Sequence, residues 1–297
     1  MNRETFGAID IGSNAIRLLI DYVETYEDGR VEFKKAAFIR VPIRLGDDVF
    51  LRGHIGNGKV EALCDAMLGF SSLFRAFGVR DYRAYATSAM REAANSSDIT
   101  ELVRSRSGIS IETISGETEA DTIFAAGGLQ DVLDKSKTYL YVDVGGGSTE
   151  VVVYAAGRKA EAQSFRLGTV RIFSNTAAAD EWTRFETWLS AVAAKWHPSG
   201  VIGSGGNINK VHKMLEKKVK ECIPAKELAA LYTRLQALSV VQRMEQLYLN
   251  QSRAEVIAPA LRIFTDVVRI CGIDSVCVPR MGLADGIIHL LYQQYAV

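Results

Sequence analysis

Tyr139-Leu140-Tyr141-Val142-Asp143-Val144-Gly145-Gly146-Gly147-Ser148-Thr149-Glu150-Val151-Val152-Val153-Tyr154 is the stretch on which the fold turns. Apolar and β-branched residues flank a glycine turn on both sides, so it reads as strand, tight turn, strand. Three successive glycines followed by Ser148 and Thr149 let backbone N–H groups approach an anion closely. Asp143 leads into the turn and Glu150 follows it. Two carboxylates beside a phosphate cradle would repel the anion unless a cation sits between them. Magnesium, or manganese in its place, held through oxygen and water, suits such a pair, with Asp143 and Glu150 as the expected metal residues.

The pattern occurs twice. Phe6-Gly7-Ala8-Ile9-Asp10-Ile11-Gly12-Ser13-Asn14-Ala15-Ile16-Arg17-Leu18-Leu19-Ile20 aligns with the first stretch without gaps. Asp10 falls on Asp143, Gly12 on Gly145 and Arg17 on Glu150. A repeat at this distance implies two similar halves. More strand follows each turn, and an amphipathic helix does not, which argues against a Rossmann or Walker loop.

Composition bounds the rest. A chain of 297 residues, 48% hydrophobic and 24% charged, has the balance of a soluble globular protein of one large or two medium domains. Lys+Arg 35 against Asp+Glu 35 leaves no global field for nucleic acid or an anionic membrane. Cys64, Cys222, Cys271 and Cys277 show no CxxC spacing and are expected as unpaired, buried residues in a reducing cytosol. No signal peptide or membrane span is read, so a cytoplasmic location is expected.

Along the chain, 44–57 is polar and glycine-rich and reads as a loop. Val60, Leu63, Cys64, Met67, Leu68, Phe70, Phe74 and Phe77 then recur at helical spacing, and the aromatics among them are expected in the core. Thr87 or Ser88 caps a short helix carrying Arg91, and Asp98 caps the next. Ser115-Gly116-Glu117-Thr118-Glu119 opens another helix. Its acids complement the helix dipole, or Glu119 serves as a general base; composition does not decide. Gly127 to Ser136 reads as the crossing between halves. The second half repeats the plan, with strands at 138–144, 149–155 and 160–166, and Arg166-Leu167-Gly168-Thr169-Val170-Arg171 leaves the third strand and starts a short helix. At 203–209 a strand, Gly205-Gly206 and a helix form a second anion or nucleotide contact. Residues 224–249 and 253–271 are mostly helical, with Pro259 near a helix start, and are a candidate homodimer contact that core burial explains equally. The four histidines lack metal-ligand spacing.

These motifs together resemble the exopolyphosphatase / guanosine pentaphosphate phosphohydrolase (Ppx/GppA) family, short two-domain type. The resemblance is carried by Ile9-Asp10-Ile11-Gly12-Ser13-Asn14, Ala86-Thr87-Ser88-Ala89-Met90-Arg91-Glu92-Ala93, Ile114-Ser115-Gly116-Glu117-Thr118-Glu119-Ala120, Val142 to Glu150, and Gly203-Ser204-Gly205-Gly206. It implies an α/β, duplicated ribonuclease-H-like fold, as in actin, sugar kinases and heat-shock ATPases, with two domains around a cleft. The domains are 1–126 and 127–297, with the terminal helix near 283–297 packing back on the first. It implies an exopolyphosphatase-like hydrolase that releases terminal orthophosphate from short inorganic polyphosphate by metal-assisted attack of water. Glu119 would be the base, and Asp143 and Glu150 would serve the metal and the water. Gly12, Ser13, Asn14, Arg91, Gly145, Gly146, Gly147, Ser148, Gly205 and Gly206 would bind phosphate.

Two departures bear on substrate. The chain lacks the C-terminal hydrolase-like extension of longer members, on which long-chain processivity depends. The family's closing Gly-Leu-Arg-Glu-Gly here reads Gly282-Leu283-Ala284-Asp285-Gly286, without the arginine; Arg17 is a candidate compensating cation. The competing readings are a guanosine pentaphosphate 5′-phosphohydrolase, a polyphosphate or nucleotide sensor with little turnover and, more weakly, a kinase of the same fold.

Overall fold

Both glycine turns join neighbouring antiparallel strands, and each strand pair is the centre of a sheet. The computed structural model describes residues 1–125, 134–219 and 221–296. Contacts divide the chain into Met1–Gly127 with Gly282–Val297, here unit 1, and Gly128–Met281, unit 2.

In unit 1, β1 (Asn2–Ile11), β2 (Ile16–Thr25) and β3 (Val31–Val41) form an antiparallel meander, followed by α1 (Leu45–Arg52) and α2 (Asn57–Phe77). β4 (Asp81–Ala86), α3 (Ser88–Glu92), α4 (Ser96–Ser107), β5 (Ile111–Thr113) and α5 (Gly116–Ala125) complete the first segment. The sheet order is β3-β2-β1-β4-β5, with β4 and β5 parallel to β1.

Unit 2 opens with β6 (Tyr139–Val144), β7 (Thr149–Ala155), β8 (Arg158–Phe165), α6 (Thr169–Phe173) and α7 (Ala179–Trp196). β9 (Gly200–Ser204), α8 (Gly206–Met214), β10 (Ile223–Pro224), α9 (Ala225–Ala237), α10 (Val240–Leu247), α11 (Gln251–Cys271) and β11 (Ser275–Cys277) follow. Its sheet, read as β8-β7-β6-β9-β11, repeats the order of unit 1 and adds β10 at the edge. Two such sheets are the duplicated ribonuclease-H-like fold. Alternation alone does not mark the central strands: β1 over 6–11 and β7 are buried on both faces, because helices cover each side.

The final helix, α12 (Leu283–Tyr295), packs on β1, β2 and α5 of unit 1. It buries Ile287, Ile288 and Leu291, and Tyr295 stacks on Phe6. Gly286 is the close point: a Cβ there would lie 2.0 Å from the Thr122 carbonyl oxygen of α5.

Several sequence expectations are corrected. The stretch 44–57 contains α1, entered through Arg44 at φ 60; Gly46 masks its helical character but is required, since a Cβ would meet Phe50 and Ser13. Asn95, not Asp98, occupies the N-cap of α4, and Asp98 lies in its first turn. Thr87 is the N-cap of α3 without a capping side-chain bond. Pro259 lies more than two turns inside α11, leaving the Glu255 carbonyl without its usual i+4 donor. Cys222 and Cys277 form a disulfide, while Cys64 and Cys271 are free. The antiparallel pairing Ile223↔Val276 sets 222 opposite 277, a proximity that spacing along the chain cannot reveal. The expected crossing at Gly127 to Ser136 falls largely outside the described residues. Among the described residues no helix is long and apolar enough to cross a membrane.

Candidate active site

The turn of unit 2 is built by tying its carbonyls to one neighbour. Gly145 N donates to Ser148 O at 2.9 Å and closes the hairpin. Thr169 N donates to Gly145 O at 3.0 Å and Val170 N to Gly146 O at 2.8 Å. Arg171 Nε donates to Gly147 O at 2.7 Å. Three consecutive residues at the start of α6 thus hold three consecutive carbonyls. In a trans peptide the carbonyl and the next amide point opposite ways, and no peptide among the described residues is cis. The amides of Gly146, Gly147 and Ser148 therefore point away from α6. Gly168 permits the approach, because a Cβ there would sit 2.2 Å from Gly146 O.

Asp143 and Glu150 are direct cross-strand partners of β6 and β7. Such partners project from the same face, with Cβ atoms about 4.5–5.5 Å apart. Both are buried, at 7% and 2% exposure. The Glu150 Oε1 accepts from Ser148 Oγ at 2.7 Å and from Ser164 Oγ at 3.1 Å, which fixes the carboxylate beside the turn. Gly205, at φ 104, lies against the same place: its Cβ would be 2.8 Å from Val144 O and 3.3 Å from Asp143 Oδ1. Gly205 and Gly206 thus join the turn at the start of α8. There the buried Asn207 Oδ1 accepts from Arg253 Nη1 at 2.6 Å.

Unit 1 carries the corresponding turn with a different charge. Gly12 N donates to Ala15 O at 3.2 Å. Gly46 N of α1 donates to Ser13 O at 2.8 Å, the counterpart of Val170 on Gly146. Here Asp10 faces Arg17, and Nη1 lies 2.5 Å from Oδ2. Arg17 therefore neutralises a carboxylate of its own turn, which tempers its reading as a substitute for the arginine missing at Ala284. Ser13 is buried and its Oγ bonds Ser88 Oγ at 2.8 Å, so its hydroxyl serves the joint with α3. Asn14 Oδ1 is a buried acceptor with no hydrogen-bond partner among the described residues. Arg91 uses one of its five donors on Ile114 O at 2.6 Å, just before α5. Glu119 lies in the first turn of α5, half-buried, its N–H bonded to Ser115 O.

Within unit 2 the structure thus brings Asp143, Glu150, Gly145 to Ser148, Gly205 and Gly206 together. Within unit 1 it brings together Gly12 to Asn14, with Ser88, and separately joins Arg91 to the base of the Glu119 helix. Sequence reading did not assign Ser164, Gly168 or Arg171 to the site; their signal lies in the cross-strand register and in a tertiary approach. The donor set is all oxygen, and no group of three metal-binding side chains occurs among the described residues. Oxygen donors of this kind suit a hard cation.

The pattern of the Ppx/GppA phosphatase family matches residues 27–294. The chain is 25% identical over 304 residues to Exopolyphosphatase 1 of Mycobacterium tuberculosis, covering 95% of this chain and 86% of that protein. Among solved structures it is similar to the Ppx/GppA family member of Aquifex aeolicus, with a TM-score of 0.80, 23% identity and full coverage of both chains. It is likewise similar to an exopolyphosphatase from Cytophaga hutchinsonii, with a TM-score of 0.85, 20% identity and 98% of each chain covered. On a family pattern that spans nearly the whole chain, the protein belongs to the Ppx/GppA phosphatase family and is an exopolyphosphatase-like phosphoric anhydride hydrolase.

Proposed function

We propose that the protein releases terminal orthophosphate from short inorganic polyphosphate, with Glu119 as the base. One observation carries this reading: outward-pointing amides of Gly146, Gly147 and Ser148 adjoin two buried carboxylates, Asp143 and Glu150. The amides suit a phosphoryl group, and the acids repel it unless a cation intervenes. The homologous position in unit 1 sets Arg17 opposite Asp10, an acid facing a cation, where unit 2 sets two acids opposite each other. Asp143 and Glu150 would hold magnesium, which when bound neutralises phosphoryl oxygens and leaving-group charge. Ser148 and Ser164 orient Glu150 for this. The turn amides bind and align the phosphoryl oxygens, a role that matters most where charge develops. Glu119 takes the proton of the attacking water, and Arg91, anchored at Ile114, steadies the helix that carries Glu119 while offering its remaining donors to phosphate. The name of the M. tuberculosis relative supports polyphosphate.

The test is phosphate release from tripolyphosphate, long polyphosphate and guanosine pentaphosphate, with and without magnesium. Metal-dependent release, greatest on the short chain and reduced at least 100-fold in Glu119→Gln, is expected. Fastest release from guanosine pentaphosphate would change the substrate. Tight binding without release would make the protein a sensor and end the hydrolase reading for this chain.

A further inference from the structure

Arg171 brings a cationic side chain to the carbonyls of the unit 2 turn. It is 4% exposed, and its Nε donates to Gly147 O at 2.7 Å. The two preceding carbonyls are met by backbone amides of Thr169 and Val170. The next amide, that of Ile172, already bonds Gly168 O at 3.0 Å, so the third carbonyl requires a side chain.

The duplicated fold supplies an internal control. Gly46 of unit 1 corresponds to Val170, so Asp47 corresponds to Arg171. Asp47 pairs instead with Arg44, whose Nε donates to Oδ2 at 2.7 Å. The same turn and helix therefore form with an acid at this position, and the fold itself does not call for a cation.

Resting on the phosphohydrolase reading above, we propose that Arg171 is a positioning residue that acts through the Gly147–Ser148 peptide, fixing and polarising it so that the Ser148 amide grips a phosphoryl oxygen. A charged donor on a carbonyl shifts electron density toward the oxygen and makes the N–H across the same peptide a stronger donor. The amide gains most where the bound oxygen carries most negative charge, which is the transition state.

The test compares wild type with Arg171→Lys and Arg171→Gln in the full chain, using tripolyphosphate with magnesium. Gln can still bond Gly147 O but carries no charge. The expected result is a 10- to 100-fold fall in kcat for Arg171→Gln with KM changed less than threefold, and partial recovery in Arg171→Lys. A Gln variant within twofold of wild type overturns the proposal, as does an equal fall in both variants that follows their loss of melting temperature. A second measurement needs no variant: in isotope-labelled wild type, titration with orthophosphate and magnesium should move the Ser148 amide proton resonance downfield more than those of Gly146 and Gly147. An unmoved Ser148 resonance also overturns the proposal. If wild type releases no phosphate, the hydrolase reading is lost, and the Ser148 titration alone decides the role of Arg171.

Discussion

At the scale of single residues, the turn of unit 2 depends as much on what is missing as on what is present. Gly168 has an ordinary extended φ of −113°, so its need for glycine is not conformational. It is one of space, because a methyl group would overlap the Gly146 carbonyl oxygen and Gly147 carbonyl carbon at 2.2 and 2.3 Å. Backbone cannot rotate aside as a side-chain tip can. Gly168→Ala should therefore push α6 off the turn and destabilise unit 2 by about 1–3 kcal/mol or more. Chemical denaturation should show it, along with weaker magnesium binding by calorimetry. An alanine variant with unchanged midpoint and affinity would show that α6 does not hold the turn. Asp143, Glu150 and the glycines of the turn were legible in the sequence because they lie within one short local pattern. Ser164 and Gly168 were not, because each meets the turn only after β8 has paired with β7.

At the scale of elements, α12 rests on a pair of groups that titrate in opposite senses. Asp21 of β2 is 4% exposed, and burial, reinforced by the nearby Asp285 and opposed by Lys35, raises its pKa from 3.8 to about 6. The folded protein therefore favours the protonated carboxyl. That contribution is fully present below pH 3.8 and is lost as pH rises through about 6. His289 of α12 stacks on Phe33 at 3.7 Å, and burial lowers its pKa although Asp285 opposes this. Its contribution runs the other way, being present above its ordinary value of 6.5 and lost as pH falls. The two partly cancel between about pH 4 and 6.5. Asp21→Asn should unmask the histidine: at pH 7.5 the variant should be more stable than wild type by about 1–3 kcal/mol, and the advantage should vanish below pH 4. Thermal melts across pH would check it, and a constant difference at all pH values would remove Asp21 as its source. The elements themselves were legible where the chain shows a clear period, as in α2 and the strand pairs. The helix α1 was not, since Gly46 and the left-handed Arg44 belong to a tertiary contact with Ser13 and resemble loop residues out of that context.

At the scale of the whole molecule, the duplication was readable because both copies keep Asp, glycine and the apolar run at the same offsets. The charge difference between the copies was readable too, as Arg17 against Glu150, but its meaning required the cross-strand register that pairs Asp10 with Arg17. The disulfide was invisible for the same reason, as Cys222 and Cys277 are 55 residues apart and meet only through β10 and β11. Unit 1 is assembled from two separated segments, and α12 closes over β1 with Ile287, Ile288 and Leu291. A chain stopped after Met281 should expose that apolar face of β1 and β2. Aggregation and strong dye binding are expected, and a soluble, monodisperse product would show that α12 is dispensable.

The ribosome meets this arrangement in one direction only. β1 leaves it early, while the helix that covers β1 is translated after every residue of unit 2. The opening strands must therefore wait, uncovered, through the synthesis of an entire intervening unit. Unit 2, whose sheet and helices are contiguous in the chain, has no such delay. The nascent chain is most vulnerable in its oldest part, and the helix that ends the wait is the one whose Gly286 docks on the helix of Glu119.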